Sequence, residues 1–362
     1  MSNRPILIMA GGTGGHIFPA LAVARELQSH SREVVWLGTH RGLEARLIPE
    51  AGIPVEWVSI SGLRGKGALT LLLAPFRLVW AITQSLVVML RHRPAAVLGM
   101  GGFVSGPGGL AAWLTRRPLV IHEQNAVAGL TNRLLACLAR VVLQAFPGSF
   151  NAKIGARTVG NPVRADIAAI EEPATRLATR TGPVRLLVLG GSQGALALNK
   201  AVPKALALLP DELKPVVRHQ AGQRTIDMAN EAYEGSGLDY EVIPFIEDMA
   251  AAYEWADLVV CRAGALTIAE IAAAGLPAVY VPFPAAVDDH QTVNARSMEA
   301  AGAAVIVDEK DLSEEMLANL LKDWISDRET LKKRAGNARA QAHPNATNDI
   351  TDVCLRAAGA LT

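Results

Sequence analysis

The sequence predicts an α/β protein built from two doubly wound parallel-sheet domains, and three observations carry that prediction. The chain has 362 residues, more than a single hydrophobic core usually organises. Its opening recurs: "PILIMAGGTGG" at residues 5–15 returns as "PVRLLVLGGSQG" at 183–194. Each copy is a proline, a short apolar strand, a Gly-Gly turn and then a helical pattern. Short apolar runs alternate with helix-like stretches through both halves, as strands buried on both faces of a parallel sheet do. Glycine turns are common in α/β chains, so the repeat taken alone leaves coincidence open.

In the first half, after "GGTGGH" (11–16), the strands read as "EVVWLG", "AAVLGMGG", "PLVIHEQ" and "VVLQAF". In the second they read as "KPVVRHQAG", "YEVIPFI", "DLVVCRAG", "PAVYVPF" and "AAVIV". Between "VGNPVRADI" and "TGPVRLLVLG" lies the polar stretch "EEPATRLATRTGP" with two prolines, which marks the boundary. The expected domains are 1–162 and 163–342, with a last helix in 343–362 packing back toward the first. Ligands of open α/β sheets bind beyond the carboxyl ends of the strands. The loops at 11–16, 99–109, 122–125, 190–195, 262–270 and 282–294 are therefore the candidates, around an expected cleft.

Composition narrows the function. The chain is 50% hydrophobic and 19% charged, with a formal net charge of +1, so it carries no overall nucleic-acid footprint. Cys137, Cys261 and Cys354 are far apart, without a CxxC or metal spacing, and read as reduced thiols. "MSNRP" leads directly into a strand, unlike a signal peptide. Residues 68–90, "ALTLLLAPFRLVWAITQSLVVML", resemble a membrane span but contain Pro75, Arg77, Thr83 and Gln84. A central arginine costs roughly 2.5–3.5 kcal/mol on insertion scales, and a span is not expected.

The glycine turns raise the question of which phosphate they serve. A dinucleotide site needs GxGxxG and an acid about 20 residues on. Neither half satisfies this, since "EVVWLGTH" and "KPVVRHQAGQ" end without Asp or Glu. A GxxxxGK[ST] P-loop is also absent from the sequence. What remains is anion binding by backbone N–H groups at helix starts, offered at Gly11–Gly15, Gly101–Gly109, Gly190–Gly194 and Gly264–Thr267. One such pole per domain suits a nucleotide diphosphate and a second phosphorylated partner. "DDH" at 288–290 is the nearest thing to a metal motif and reads as loop.

"GGTGGH", "SGLRGKG", "GMGGFVSGPGG", "HEQN", "GNPVR", "GGSQGA", "CRAGALTIAE" and "AAAGLPAVYVPFP" occur in this order over nearly the whole chain. Together they resemble the MurG family, the bacterial lipid I N-acetylglucosaminyltransferases of glycosyltransferase family 28. The resemblance implies a GT-B fold, two Rossmann-like domains facing across a cleft. It also implies inverting transfer of GlcNAc from UDP-GlcNAc to the MurNAc C4 hydroxyl of lipid I, giving lipid II. No cofactor or essential metal is implied. The implied setting is the cytoplasmic face of the inner membrane, in cell-wall synthesis beside other cell-wall and division proteins.

Carried onto matching positions, the resemblance implies that Thr13, Gly14, Gly15 and Asn125 approach the donor sugar, with Arg164 and Ser192 near the diphosphate. Ile246 would lie by the uracil. Ala265, Leu266, Thr267, Ile268, Ala269 and Glu270 would embrace phosphate and ribose, and Gln291 would meet the GlcNAc hydroxyls. The acceptor diphosphate falls to Gly14, Gly15, Gly102, Ser105 and Gly106; Phe103 replaces a tyrosine found in some members and brings no hydroxyl. The blander readings stay open, with Glu270 a solvated helix residue and Arg164 the partner of a surface acid.

Inverting transfer needs a base. His16 is the first candidate, since an imidazole titrates near neutrality; Glu123 is the second and His122 the third. Otherwise His16 only bonds substrate or backbone. Leu72, Leu73, Phe76, Val79 and Trp80 recur at helical spacing near Arg64, Lys66, Arg77, Arg91 and Arg93. Such a stripe is commonly a core helix; here the expected role is a face on an anionic membrane, with Leu72, Phe76, Val79 and Trp80 at its tip. A UDP-GlcNAc 2-epimerase on the same fold and a non-catalytic nucleotide-sugar-binding scaffold are the alternatives.

Overall fold

The structure, a computed structural model, describes residues 4–62, 73–191, 194–284 and 289–359. It divides into two units, one made of residues up to Arg164 together with His343 onward, the other of Ala165–Ala342. Arg64, Lys66, Leu72 and Ser192 lie outside the described residues.

The N-terminal unit contains β1 (Ile6–Met9), β2 (Val34–Gly38), β3 (Val55–Trp57), β4 (Ala96–Gly99), β5 (Leu119–Glu123), β6 (Val141–Gln144) and β7 (Arg157–Thr158). They form one sheet in the order β3-β2-β1-β4-β5-β6-β7, with every pair parallel. The second unit contains β8 (Arg185–Leu189), β9 (Val216–Gln220), β10 (Asp239–Ile243), β11 (Leu258–Cys261), β12 (Ala278–Tyr280) and β13 (Ala304–Ile306). Their order is β10-β9-β8-β11-β12-β13, again all parallel. In both sheets the first strand sits inside and the winding direction reverses beside it. This creates a switch point between β1 and β4, and another between β8 and β11, where ligands of doubly wound sheets bind.

Strand periodicity sets the packing. Ile6 and Ile8 face one core with Ile17, Leu21 and Leu27 of the helix Gly14–Ser29. Leu7 and Met9, on the opposite face, join a core with Val88, Met89 and Ala111. A strand covered on both faces has to be apolar at every position, and β1 is buried at all four. The helix Ala346–Ala357 closes the first face: Ile350, Val353, Cys354 and Leu355 are buried in the same cluster as Ile6 and Ile17. Each such side chain contributes about 1.5–3 kcal/mol on burial.

Candidate active site

At the carboxyl end of β1 the chain turns into the helix Gly14–Ser29, whose cap residue Thr13 makes no side-chain hydrogen bond to it. A helix start without a side-chain cap offers N–H groups and a positive dipole end to an anion. The loop after β4 presses directly against this turn. Gly101 and Gly102 have φ of +93° and +81°, and a Cβ on Gly102 would stand 2.3 Å from the Gly11 carbonyl oxygen. Only glycine permits both that backbone and that approach.

Glu44, fully buried in the first turn of the helix Glu44–Glu50, fixes the loop from below. Its carboxylate accepts the Gly12 N–H at 3.0 Å, the Thr39 N–H at 3.1 Å and the Thr39 hydroxyl at 2.7 Å. The Gly12 N–H therefore points inward, leaving anion binding to the Gly14–Gly15 end. The sequence reading missed Glu44 because it looked for an acid at the end of β2, whereas this one comes six residues after Gly38 and turns back. Glu44→Gln would aim an NH2 group at backbone donors. The expected loss is about 1–3 kcal/mol, read as a Tm lower by roughly 2–4 °C per kcal/mol. An unchanged Tm would remove the staple.

His16 lies in the first turn of its helix, with Nδ1 3.0 Å from Gln124 Oε1. His122 is buried, with Nε2 2.9 Å from the Gly160 carbonyl and Nδ1 3.2 Å from Gln124 Nε2; burial lowers its pKa to about 4, so both ring nitrogens are engaged and the ring resists taking a proton. That removes His122 as a base. Glu123, also buried, accepts the Asn125 N–H at 3.0 Å, the Asn125 side-chain amide at 3.3 Å, the Gly129 N–H at 3.1 Å and Asn132 Nδ2 at 2.8 Å. Four donors occupy both of its oxygens. Glu123 is the staple of the Asn125–Gly129 loop, and the expectation of a base there is corrected accordingly.

Ser105 is corrected as well. It is fully buried, and its hydroxyl lies 2.8 Å from the Gly101 carbonyl and 3.2 Å from that of Met9. It ties the β4 loop to β1 and has no hydroxyl to spare for a phosphate. Gly106 follows it in the helix Ser105–Leu114. The Phe103 ring is exposed and lies against Gly62. Arg164 places its guanidinium 5.8 Å from the centre of the Phe18 ring, one turn along from Gly14. The N-terminal unit thus brings together Thr13, Gly14, Gly15, His16, Gly102, Asn125 and Arg164 around the ends of β1, β4 and β5.

In the second unit the helix Ala265–Ala274 starts immediately after β11, capped by Gly264 with no side-chain hydrogen bond. This helix carries Leu266, Thr267, Ile268, Ala269 and Glu270. Glu270 is buried and its Oε2 accepts the hydroxyl of the buried Tyr253 at 3.1 Å. Tyr253 is a further residue the sequence reading missed. The Ile246 side chain is buried while the neighbouring Phe245 ring is exposed. Gln291, in the first turn of the helix His290–Ala300, accepts the Phe283 N–H at 2.9 Å through Oε1, which leaves its NH2 group as the end for a ligand. Among the described residues no group of three or more His, Cys, Asp or Glu could hold a metal ion. Asp289 accepts the Thr292 hydroxyl at 2.7 Å.

The apolar stripe proves to be surface. Phe76, Val79 and Trp80 of the helix Ala74–His92 are 74%, 63% and 58% exposed, and the buried side of that helix comprises Ala81, Ser85, Val88 and Met89. Trp113 and Leu114, on the adjoining helix Ser105–Leu114, are also exposed. Among the described residues, no helix is long and apolar enough to cross a membrane.

Residues 6–144 match the glycosyltransferase family 28 N-terminal domain, and residues 185–350 match the family's C-terminal domain. The chain is 55% identical to the "UDP-N-acetylglucosamine--N-acetylmuramyl-(pentapeptide) pyrophosphoryl-undecaprenol N-acetylglucosamine transferase" of Marinobacter nauticus, over 98% of both chains. To the protein of the same name from Alkalilimnicola ehrlichii it is 57% identical, over 98% of this chain and 99% of that one. The crystal structure of MurG from Acinetobacter baumannii superposes with a TM-score of 0.85 at 42% identity, covering 98% of this chain and 99% of the other. With matches to both domains and relatives of this identity along its whole length, the chain belongs to glycosyltransferase family 28.

Proposed function

We propose that the protein transfers N-acetylglucosamine, with inversion, from UDP-GlcNAc to the C4 hydroxyl of the MurNAc residue of lipid I. The products are lipid II and UDP. The observation that carries this reading is the placement of His16 at the β1/β4 switch point, between two glycine loops. Its Nδ1 is held by Gln124, and Nε2 takes part in no hydrogen bond among the described residues. The names and near-complete coverage of the relatives support it.

In the reaction His16 Nε2 takes the proton of the C4 hydroxyl as that oxygen attacks the anomeric carbon. The new C–O bond forms while the bond from the anomeric carbon to the β-phosphate oxygen breaks, and its electron pair leaves with UDP. The His16 proton then passes to solvent. In the second unit the helix start at Gly264 meets leaving-group charge, and Arg164 carries the rigid donor fork for the diphosphate, a scheme that assigns no step to a resident metal. Glu270 accepts from the ribose hydroxyls, Gln291 donates to a GlcNAc hydroxyl, the Ile246 backbone reads the uracil edge, and Asn125 orients sugar hydroxyls.

The exposed Phe76, Val79 and Trp80, with Arg77 in the same stretch of helix, suit an anionic leaflet, where the polyprenyl-linked acceptor resides. Phe76→Glu with Val79→Glu removes two apolar anchors of about 1.5–3 kcal/mol each. Affinity for vesicles containing anionic phospholipid is expected to fall at least about a hundredfold in sedimentation, with Tm unchanged. Undiminished sedimentation would place the docking face elsewhere.

The deciding assay is UDP release with purified protein, UDP-GlcNAc and a lipid I analogue, with the product mass measured. Acceptor-dependent release and a product heavier by one GlcNAc are expected. UDP released without acceptor, together with free ManNAc or GlcNAc, would put an epimerase or hydrolase in its place. Binding of UDP-GlcNAc with neither reaction would indicate a scaffold.

A further inference from the structure

Resting on His16 as the base, we infer that Gln124, itself oriented by His122 and the Gly160 carbonyl, is a positioning residue that fixes the His16 tautomer with Nδ1 protonated and Nε2 bare. The direction of the hydrogen-bond chain is dictated by its inner end. The Gly160 carbonyl can only accept, so His122 Nε2, 2.9 Å away, must be the donor. His122 is buried without a carboxylate on its ring and stays neutral, because burial holds its pKa at about 4. A neutral imidazole with its proton on Nε2 has an acceptor at Nδ1. That acceptor faces Gln124 Nε2 at 3.2 Å, and the same amide nitrogen lies 3.4 Å from the His122 carbonyl. Both contacts require the amide NH2 to point at His122.

The Gln124 carbonyl oxygen is thereby turned outward to His16 Nδ1 at 3.0 Å. A carbonyl can only accept, so Nδ1 carries the hydrogen and the lone pair of neutral His16 resides on Nε2. The surroundings leave the ring little choice. Asn161 donates to the Gln124 backbone carbonyl at 3.0 Å, holding the residue at the end of β5. On the glycine side of His16, a Cβ at Gly101 would fall 2.7 Å from Nδ1, so no bulkier residue could stand there.

Orientation of a catalytic imidazole through the hydrogen bond on its other nitrogen is a general device. Here it is made from neutral groups. A carboxylate in the same position would raise the basicity of the ring by its charge; an amide sets the tautomer and leaves the charge of the site unchanged. When Nε2 takes the acceptor's proton, Nδ1–H still points at Gln124, and no second proton has to move.

The test is a long-range 1H–15N spectrum of protein labelled at histidine, in mildly alkaline buffer, with the His16 signals assigned by their loss in His16→Gln. In the wild type, Nδ1 is expected at a pyrrole-like shift and Nε2 at a pyridine-like one. Gln124→Met, which removes the acceptor, should move population to the Nε2–H form. It should also lower kcat at least about tenfold while donor KM stays within about twofold. Gln124→Glu keeps an acceptor for Nδ1–H and should keep the tautomer. A wild-type His16 protonated on Nε2, or a tautomer unchanged in Gln124→Met, overturns the inference. The tautomer is read without turnover, so its failure is separable from failure of His16 as base, which is judged from the kcat of His16→Ala.

Discussion

Replacing His16 by alanine is expected to lower kcat for GlcNAc transfer by about two to four orders of magnitude, the range a positioned general base contributes. Donor KM should stay within about twofold. The split follows from geometry: His16 sits at the β1/β4 switch point of the N-terminal unit, its Nδ1 engaged by Gln124, whereas the proposed nucleotide contacts reside on the helix Ala265–Ala274 of the other unit. Removing the imidazole therefore removes an interaction made only as the proton moves. Glu123→Gln provides the contrast. Its carboxylate accepts four hydrogen bonds from Asn125, Gly129 and Asn132, and an amide cannot accept them all. Lower thermal stability should accompany any loss of rate there. Kinetics at saturating donor and acceptor, with melting curves for both variants, decide between them. If His16→Ala keeps kcat within about threefold, the base is another group.

Much of this organisation is legible in the chain itself, for physical reasons that differ from element to element. β1, β4, β8 and β11 are apolar at nearly every position because both faces are covered, so their runs stand out. The edge strands β3 and β7 do not: Val55–Trp57 is half-buried and Arg157–Thr158 exposed, and three or two such residues carry no periodic signal. The glycine loops are readable because left-handed backbone and close approach admit no substitute. What a loop does with its donors is not, since the inward pull of Glu44 on Gly12 depends on a residue 32 positions away. Likewise "HEQN" identifies a polar cluster, but the division of its members between hydrogen-bond chain and loop staple exists only once His122 meets Gly160 across 38 residues and Glu123 meets Gly129 and Asn132. The stripe at Phe76, Val79 and Trp80 shows the converse. Periodicity marks an amphipathic helix, and only the tertiary contacts of Ala81, Ser85 and Val88 reveal which side is covered.

Glu270→Ala is expected to raise the KM for UDP-GlcNAc by about 10- to 150-fold, the equivalent of about 1.5–3 kcal/mol for hydrogen bonds to a charged group. kcat should fall by less than about threefold, because ribose lies far from the bond being broken. The carboxylate is already held in place for the proposed ribose contact. Burial raises the Tyr253 phenol well above its ordinary pKa, and the neighbouring Glu270 raises it further, so Tyr253 remains a donor and holds Oε2 at 3.1 Å. One side of the carboxylate is anchored and its rotamer is fixed, which limits the conformational freedom lost when sugar hydroxyls are bound. Tyr253→Phe removes the anchor and keeps the charge, and its donor KM should rise by a smaller factor, about three- to tenfold. A 2′-deoxyribose analogue of the donor separates recognition from general damage. Wild-type enzyme should prefer the ribose form, and Glu270→Ala should lose most of that preference. If the preference survives in Glu270→Ala, the ribose is read by another group and Glu270 serves the packing around Tyr253.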